Sequence, residues 1–207
     1  MMTPSTRARQ APGDAAMRAM FAARKRVFID FLNWDLSALE DVYELDPFDT
    51  SAAEYVILLG EDGRHRASAR LLPTEQPHLL GDLYSHVCDG GAPRGARIWE
   101  ISCFCLDPDQ TAAERRNARD ALVTALADYA LSHGITDYVG VADIRWFKKI
   151  RAFGWACEAL GEPCDDGRCQ IIGLRIRIDP DTVKGLKRAG TYVALARVGY
   201  VSGETVQ

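Results

Sequence analysis

Met17, Met20, Phe21 and Phe28 repeat at i, i+3, i+4 and i+11, and Arg24 takes the i+7 place on the same stripe. That period predicts a helix over residues 14–29, with Asp14 as its N-cap. Residues 30–53 read as loop around a short helix from Ser37 to Val42. Glu54 to Gly60 reads as a strand. Asp62-Gly63 marks a hairpin turn, and Arg64 to Leu72 is the returning strand. Its alternation sets Arg66, Ser68 and Arg70 on one face and Ala67, Ala69 and Leu71 on the other. Pro73 to Gly95 is a long irregular segment with a helical turn from Asp82 to Val87. Long loops of this kind are often lids or binding loops.

Arg97 to Leu106 reads as a central strand, apolar on both faces. Strict alternation puts Ile98, Glu100, Ser102, Phe104 and Leu106 on one face, and Trp99, Ile101, Cys103 and Cys105 on the other. Thr111 to Glu114 is a capping box that opens the longest helix, closed by His133-Gly134. A strand from Ile135 to Val141 follows, then a helix from Ile144 to Phe153 capped by Asp143. Trp155 to Leu160 and Arg168 to Ile178 read as a strand pair around Asp166-Gly167, and a C-terminal helix runs from Asp179 to Gly190. This order predicts an α/β fold, a mixed central sheet flanked by helices, in a single domain spanning residues 14–207. Residues 1–13 lack the apolar core of a signal peptide and are expected as a flexible arm.

Composition narrows the function classes. The chain has 207 residues, 47% hydrophobic and 26% charged, as in an ordinary globular protein. A net charge of -4 gives no nucleic-acid footprint, and no apolar run is long enough to span a bilayer. The expected location is the cytoplasm, where the six cysteines would be reduced. The histidines show no spacing that would complete a zinc site with Cys103, Cys105, Cys164 or Cys169, so no metal is expected.

Two residues carry an unusual cost. Arg24 on an apolar stripe needs buried acceptors, and Glu44, Asp46 and Asp49 follow around the bend at Pro47. Glu100 is a carboxylate in a core strand, where glutamate is rare without a partner or a task. The spacing of Arg24, Phe28, Trp34, Glu44, Asp46, Phe48 and Asp49 resembles the N-terminal signature of the acyl-homoserine-lactone synthases, the autoinducer synthases of bacterial quorum sensing. Arg70, the Trp99-Glu100-Ile101-Ser102 run and the element order to about residue 178 extend the resemblance.

The resemblance implies an N-acetyltransferase-like fold and a two-part reaction. The α-amine of S-adenosylmethionine attacks an acyl thioester on acyl carrier protein or coenzyme A. The methionine carboxylate then closes a lactone and releases methylthioadenosine. S-adenosylmethionine is a substrate here, and no cofactor is implied. Residue by residue, the resemblance assigns Arg24, Glu44, Asp46, Asp49, Arg70 and Glu100 to the catalytic cluster, with Glu100 as base. It assigns Phe28, Trp34 and Phe104 to the S-adenosylmethionine pocket. Val139, Val141, Trp146, Phe147 and Ile150 are assigned to the acyl-chain slot. Arg145, Lys148, Lys149 and Arg151 form a basic patch suited to an acidic carrier.

Two departures stand out. Cys103 occupies a position where the family carries arginine. Arg119 replaces the middle glycine of the phosphate-binding turn that ordinary acetyltransferases use, which blocks close backbone approach. The competing readings are a related N-acyltransferase that uses acyl-CoA and another amine, and a catalytically impaired homologue.

Overall fold

The computed structural model describes residues 12–32, 38–194 and 199–202. Helix α1 runs Pro12–Arg24 and continues as a π-helical stretch, Lys25–Phe31. The helix therefore starts two residues before Asp14, which is not its cap. Met17, Met20, Phe21, Arg24 and Phe28 are all buried. The short helix expected from Ser37 to Val42 is absent among the described residues. Strands β1 (Ala38–Leu39) and β2 (Tyr43–Glu44) form a small antiparallel hairpin there. Glu40 and Asp41 at its tip take left-handed backbone, φ 53° and 57°. Without a glycine, nothing in the sequence advertised that turn.

Strands β3 (Glu54–Leu59) and β4 (His65–Pro73) form the expected hairpin. Helix α2 (Leu79–Asp82) and a 3₁₀ turn, Ser85–Val87, occupy the long irregular segment. Strand β5 (Ile98–Leu106) is central. Helix α3 (Ala112–His133) has both halves of its predicted capping box, and Gly134 ends it at φ 68°. Strand β6 (Asp137–Asp143) leads into helix α4 (Ile144–Arg151), capped by Asp143.

Strands β7 (Ala156–Ala159) and β8 (Cys164–Asp165) both pair with β9 (Gln170–Arg177), each along a different half. Helix α5 spans Thr182–Ala189. Strand β10 (Gly199–Ser202) adds an edge beside β3, an element the C-terminal sequence did not suggest.

The eight strands make one mixed sheet in the order β10-β3-β4-β5-β6-β9-β7, with β8 also on β9. Every pairing is antiparallel except β5 with β6. Helix α3 covers one face, where Val56, Ala67, Ala69, Leu71, Leu122 and Leu126 share a core. Helix α1 covers part of the other, packing Met17, Met20 and Phe21 with Tyr55, Ile57 and Leu72.

Two irregularities in the centre of the sheet matter for chemistry. The parallel strands β5 and β6 stay in register over three pairs only, ending at Glu100 opposite Val139. Beyond that point the two strands separate. In addition, β5 gains one residue relative to β4: Ser102 faces Arg70, whereas Cys105 faces Ser68. The extra residue is a bulge at Cys103, which has φ 49°. Strict alternation therefore fails beyond Ser102. Phe104 and Leu106 join Trp99 and Ile101 in the α3-side core, while Cys103 and Cys105 pack with Ala23, Val27 and Phe28 on the α1 side.

Candidate active site

Helix α1 brings Arg24 to the sheet, and β4 brings Arg70 beneath it. Between them run the end of β2 and the bend after it, which together supply three carboxylates, Glu44, Asp46 and Asp49. Arg24 Nε donates to Glu44 Oε2 at 2.5 Å. Its terminal nitrogens clasp both oxygens of Asp49 at 2.8 and 3.0 Å. Arg70 clasps both oxygens of Asp46 at 2.6 and 2.9 Å, reaches Asp49 at 2.8 Å and donates from Nε to Ser102 Oγ at 3.0 Å. Forked pairing of this kind fixes both partners in angle as well as distance.

The cluster is almost dry. Arg24, Arg70 and Glu44 are 0%, 1% and 2% exposed. Such a network stands only when every charge is met, because leaving one unpaired costs several kcal/mol, to order of magnitude. Asp49 meets this demand most completely: Arg24, Arg70, the Tyr55 hydroxyl and the Asp46 amide all donate to it. Burial alone would raise its pKa, but the two guanidiniums override that and hold it below the ordinary carboxylate value. Tyr55 is held above the ordinary phenol value by burial and by Asp49. Phe21 and Phe48 present their rings to Arg24 and Arg70 at 5.3 and 5.9 Å.

Two arginines face three carboxylates, leaving one net negative charge before Glu100 is counted. Asp46 is the member that reaches solvent, with its side chain 19% exposed. A cationic ligand is drawn to such a place.

Glu100 lies on β5 two residues from Ser102, on the same face. It is 1% exposed, and its Oε2 accepts from the Leu80 amide at 2.7 Å. Burial raises its pKa to about 7; the Leu79 and Leu80 amides and Arg70 only partly oppose this. The carboxylate therefore has backbone partners. It is seated on the first turn of α2 and exchanges protons near neutrality, as a general base requires.

Cys103 is on this side of the sheet, not on the apolar face beside Trp99 and Ile101. Burial raises its pKa, against the pull of Arg24 and Arg70. Phe28 packs with Cys103 and Cys105, next to the cluster. Trp34 lies outside the described residues. Phe104 belongs elsewhere: the bulge turns it to the opposite face, where its ring sits 5.3 Å from Trp146.

The five residues assigned to an acyl slot divide between two groups. Trp146, Phe147 and Ile150 join the α3-side core near Phe104, whereas Val139 and Val141 pack under α2 with Leu80, Val87 and Ile171. Val139 and Val141 share one face of β6, and it is the face opposite the one on which α4 packs Phe147 and Ile150. Of the basic patch, Arg145 is bonded to its own cap, Asp143. Arg151 lies 5.8 Å from the Phe147 ring. Lys148 and Lys149 are exposed. Arg119 folds back on Asp120 at 2.6 Å and covers Phe153.

Tyr55 and Ser102 were missed by the sequence reading. Ser102 had a signal, since it lies two residues along the strand from Glu100. Tyr55 looked like any aromatic strand residue. Among the described residues, no group of three or more His, Cys, Asp or Glu is placed to hold a metal. No described helix is long and apolar enough to cross a membrane.

A mixed sheet that parts between two parallel strands, β5 and β6, is the architecture of the N-acyltransferase-like fold. An acyl-CoA N-acyltransferase from Pseudomonas aeruginosa shares this fold, with a TM-score of 0.53 and 15% identity over 78% of this chain and 90% of that one. The particular family follows from sequence: the autoinducer synthase model matches residues 10–186, and the chain belongs to that family. Its members are enzymes that make acyl-homoserine-lactone signals for quorum sensing. The acyl-homoserine-lactone synthase of Agrobacterium fabrum is 26% identical over 181 residues, 85% of each chain. The solved structure of MesI, a CoA-dependent acyl-homoserine lactone synthase, superposes with a TM-score of 0.77. It is 28% identical and covers 86% of this chain and 89% of that one.

Proposed function

We propose that the Arg24–Arg70 cluster and Glu100 together acylate S-adenosylmethionine from an acyl thioester and close the lactone. One observation carries this reading: a buried ion network with surplus negative charge lies on the same strand face as a carboxyl whose pKa is about 7.

The substrate's sulfonium and ammonium would be drawn to Asp46, the exposed member of the cluster. Arg24 and Arg70 hold Asp49 ionised and fix the three carboxylates in place, so the site is organised before substrate arrives. Phe28 offers an apolar wall beside the cluster. The amine attacks only as a free base. Glu100 takes its proton, directly or through one water.

The acyl thioester would enter where β5 and β6 separate. Phe104 and Trp146 flank that opening on the α4 side, which suits a chain of methylenes. Amides of β5 beyond Glu100 have no registered β6 partner. Those that point into the opening are candidate donors to the oxyanion of the tetrahedral intermediate. Collapse of that intermediate expels the thiol and leaves the amide. The methionine carboxylate then displaces the sulfonium. Negative charge meets positive, so this step needs no proton transfer, and neutral lactone and methylthioadenosine leave.

Either acyl carrier protein or coenzyme A can present the thioester. The exposed Lys148 and Lys149 favour an acidic carrier docking at α4. These donors are cytoplasmic, which supports a cytoplasmic location for the protein. The test is stoichiometry: purified protein with S-adenosylmethionine and acyl thioesters should release free thiol and methylthioadenosine one for one. Thiol release without methylthioadenosine would favour a different amine acceptor. Release of neither, from any donor, would favour the impaired homologue.

A further inference from the structure

Helix α2 is a single turn, Leu79–Asp82, and it carries the amides that meet Glu100. One turn has little stability of its own, because helix formation has a costly nucleus. Its place comes from its surroundings. Leu80 is fully buried in a core shared with Val139 and Ile171. The first amides of a helix have no acceptor within it. Here the Glu100 carboxylate takes those of Leu79 and Leu80, so β5 supplies what a capping side chain ordinarily does.

The residue at the capping position is His78, and its side chain makes no bond to the helix. The ring turns back instead, and Nδ1 lies 2.8 Å from the Gln76 carbonyl. A carbonyl oxygen only accepts, so Nδ1 carries the proton. His78 is fully buried, and burial holds its pKa below the ordinary histidine value, so the ring is neutral at pH 7. The ring also lies against Gly81. A Cβ on Gly81 would stand 2.6 Å from His78 Cε1 and 2.7 Å from the Arg94 guanidinium. Arg94 in turn pairs with Asp82 at 3.0 Å. The ring is thus wedged between a carbonyl before the turn and a glycine inside it.

We propose that His78 is a positioning residue for Glu100: its bond to Gln76 and its contact with Gly81 hold α2 where the Leu79 and Leu80 amides meet the carboxylate. The inference rests on Glu100 being the base. Those two amides favour the ionised carboxylate. A turn that drifts takes its donors with it, and the carboxyl then holds its proton more tightly. Less of the base is ionised at pH 7, so turnover falls there and the rise in rate moves to higher pH. Charge reaches Glu100 from Arg70 on β4 and from Asp46 after β2, and it reaches His78 from Arg94 and Asp82. None of these four is altered in the variants below.

Carbon-13 NMR titration of the glutamate carboxyls in the full-length protein tests this, with the Glu100 signal identified by its loss in Glu100→Gln. In His78→Phe, which keeps a ring but has no donor, Glu100 should titrate at least about half a pH unit higher than in the parent. Turnover at pH 7 should fall about 10-fold, with KM for S-adenosylmethionine within about 2-fold, since the Arg24–Arg70 cluster is untouched. His78→Asn can place its amide nitrogen near the site of Nδ1. It should melt lower than the parent, having lost the ring, yet keep the parent's Glu100 titration. Gly81→Ala leaves His78 in the chain but presses a methyl on its ring, and it should raise the Glu100 titration as His78→Phe does. It decides the matter should His78→Phe fail to fold. The proposal is overturned if Glu100 titrates as in the parent in either His78→Phe or Gly81→Ala, or if His78→Asn moves it as far as His78→Phe. The titration needs no turnover, so its failure is distinct from failure of the synthase reading.

Discussion

Glu100 Oε2 accepts a 2.7 Å hydrogen bond from the Leu80 amide, tying the central strand to the first turn of α2. The bond orients the carboxylate but does not compensate its burial. Raising a carboxyl from 4.5 to about 7 corresponds to about 3 kcal/mol, to order of magnitude, against the ionised form. A group whose pKa rises on folding contributes stability that is complete below its unfolded value and is lost as pH rises through its folded value. For Glu100 that window runs from 4.5 to about 7. Glu100→Gln should therefore match the parent's melting temperature near pH 5 and exceed it near pH 9, while turnover falls ~10²-fold or more. The parent's rate should rise with pH through about 7, the value for Glu100. Near-normal turnover in the variant would remove Glu100 from the mechanism.

Arg24 is bonded to Glu44 and to both oxygens of Asp49, with its side chain 1% exposed. Arg24→Lys keeps the charge but cannot make the fork. Turnover should drop while the fold survives. Arg24→Met leaves Glu44 without its cation and should cost about 3–5 kcal/mol of stability. Denaturant titration checks it; a loss under about 1 kcal/mol would mean the network is not closed in solution.

This pairing was legible in the sequence, because an arginine on an apolar stripe and carboxylates around a nearby bend have no cheaper arrangement. The bulge at Cys103 was not. Backbone with φ 49° is ordinarily signalled by glycine, and here a cysteine adopts it. Alternation read through the bulge sent Phe104 and Cys103 to the wrong faces. The hairpin tip at Glu40 and Asp41 failed for the same reason. Arg70 and Ser102 could be placed together only once the register of β4 against β5 was known.

Cys103 lies with the polar cluster, at a position where the family carries arginine, and the cluster has two arginines for three carboxylates. Cys103→Arg should raise turnover and keep the melting temperature within a few degrees, since acceptors are at hand. Unchanged turnover with a sharply lower melting temperature would mean that this position cannot host a third cation.

Lys148 and Lys149 are exposed on α4 and far in sequence from the Arg24–Arg70 cluster and Glu100. Reversing both to glutamate should raise KM for acyl carrier protein several-fold and leave kcat nearly unchanged. The parent's KM should climb with salt, as screening shortens the reach of the patch. A KM that ignores both changes would put docking elsewhere or make coenzyme A the donor.

The central claim is that one site both acylates the amine of S-adenosylmethionine and closes the ring. Mass spectrometry of a reaction fed S-adenosylmethionine labelled in the carboxyl, α, β and γ carbons of its methionine part, but not in the S-methyl, together with a single acyl thioester, reads both steps at once. The account predicts a labelled N-acyl homoserine lactone with unlabelled methylthioadenosine. An acylated, unclosed S-adenosylmethionine as the end product, or an acyl amide without the label, would contradict it.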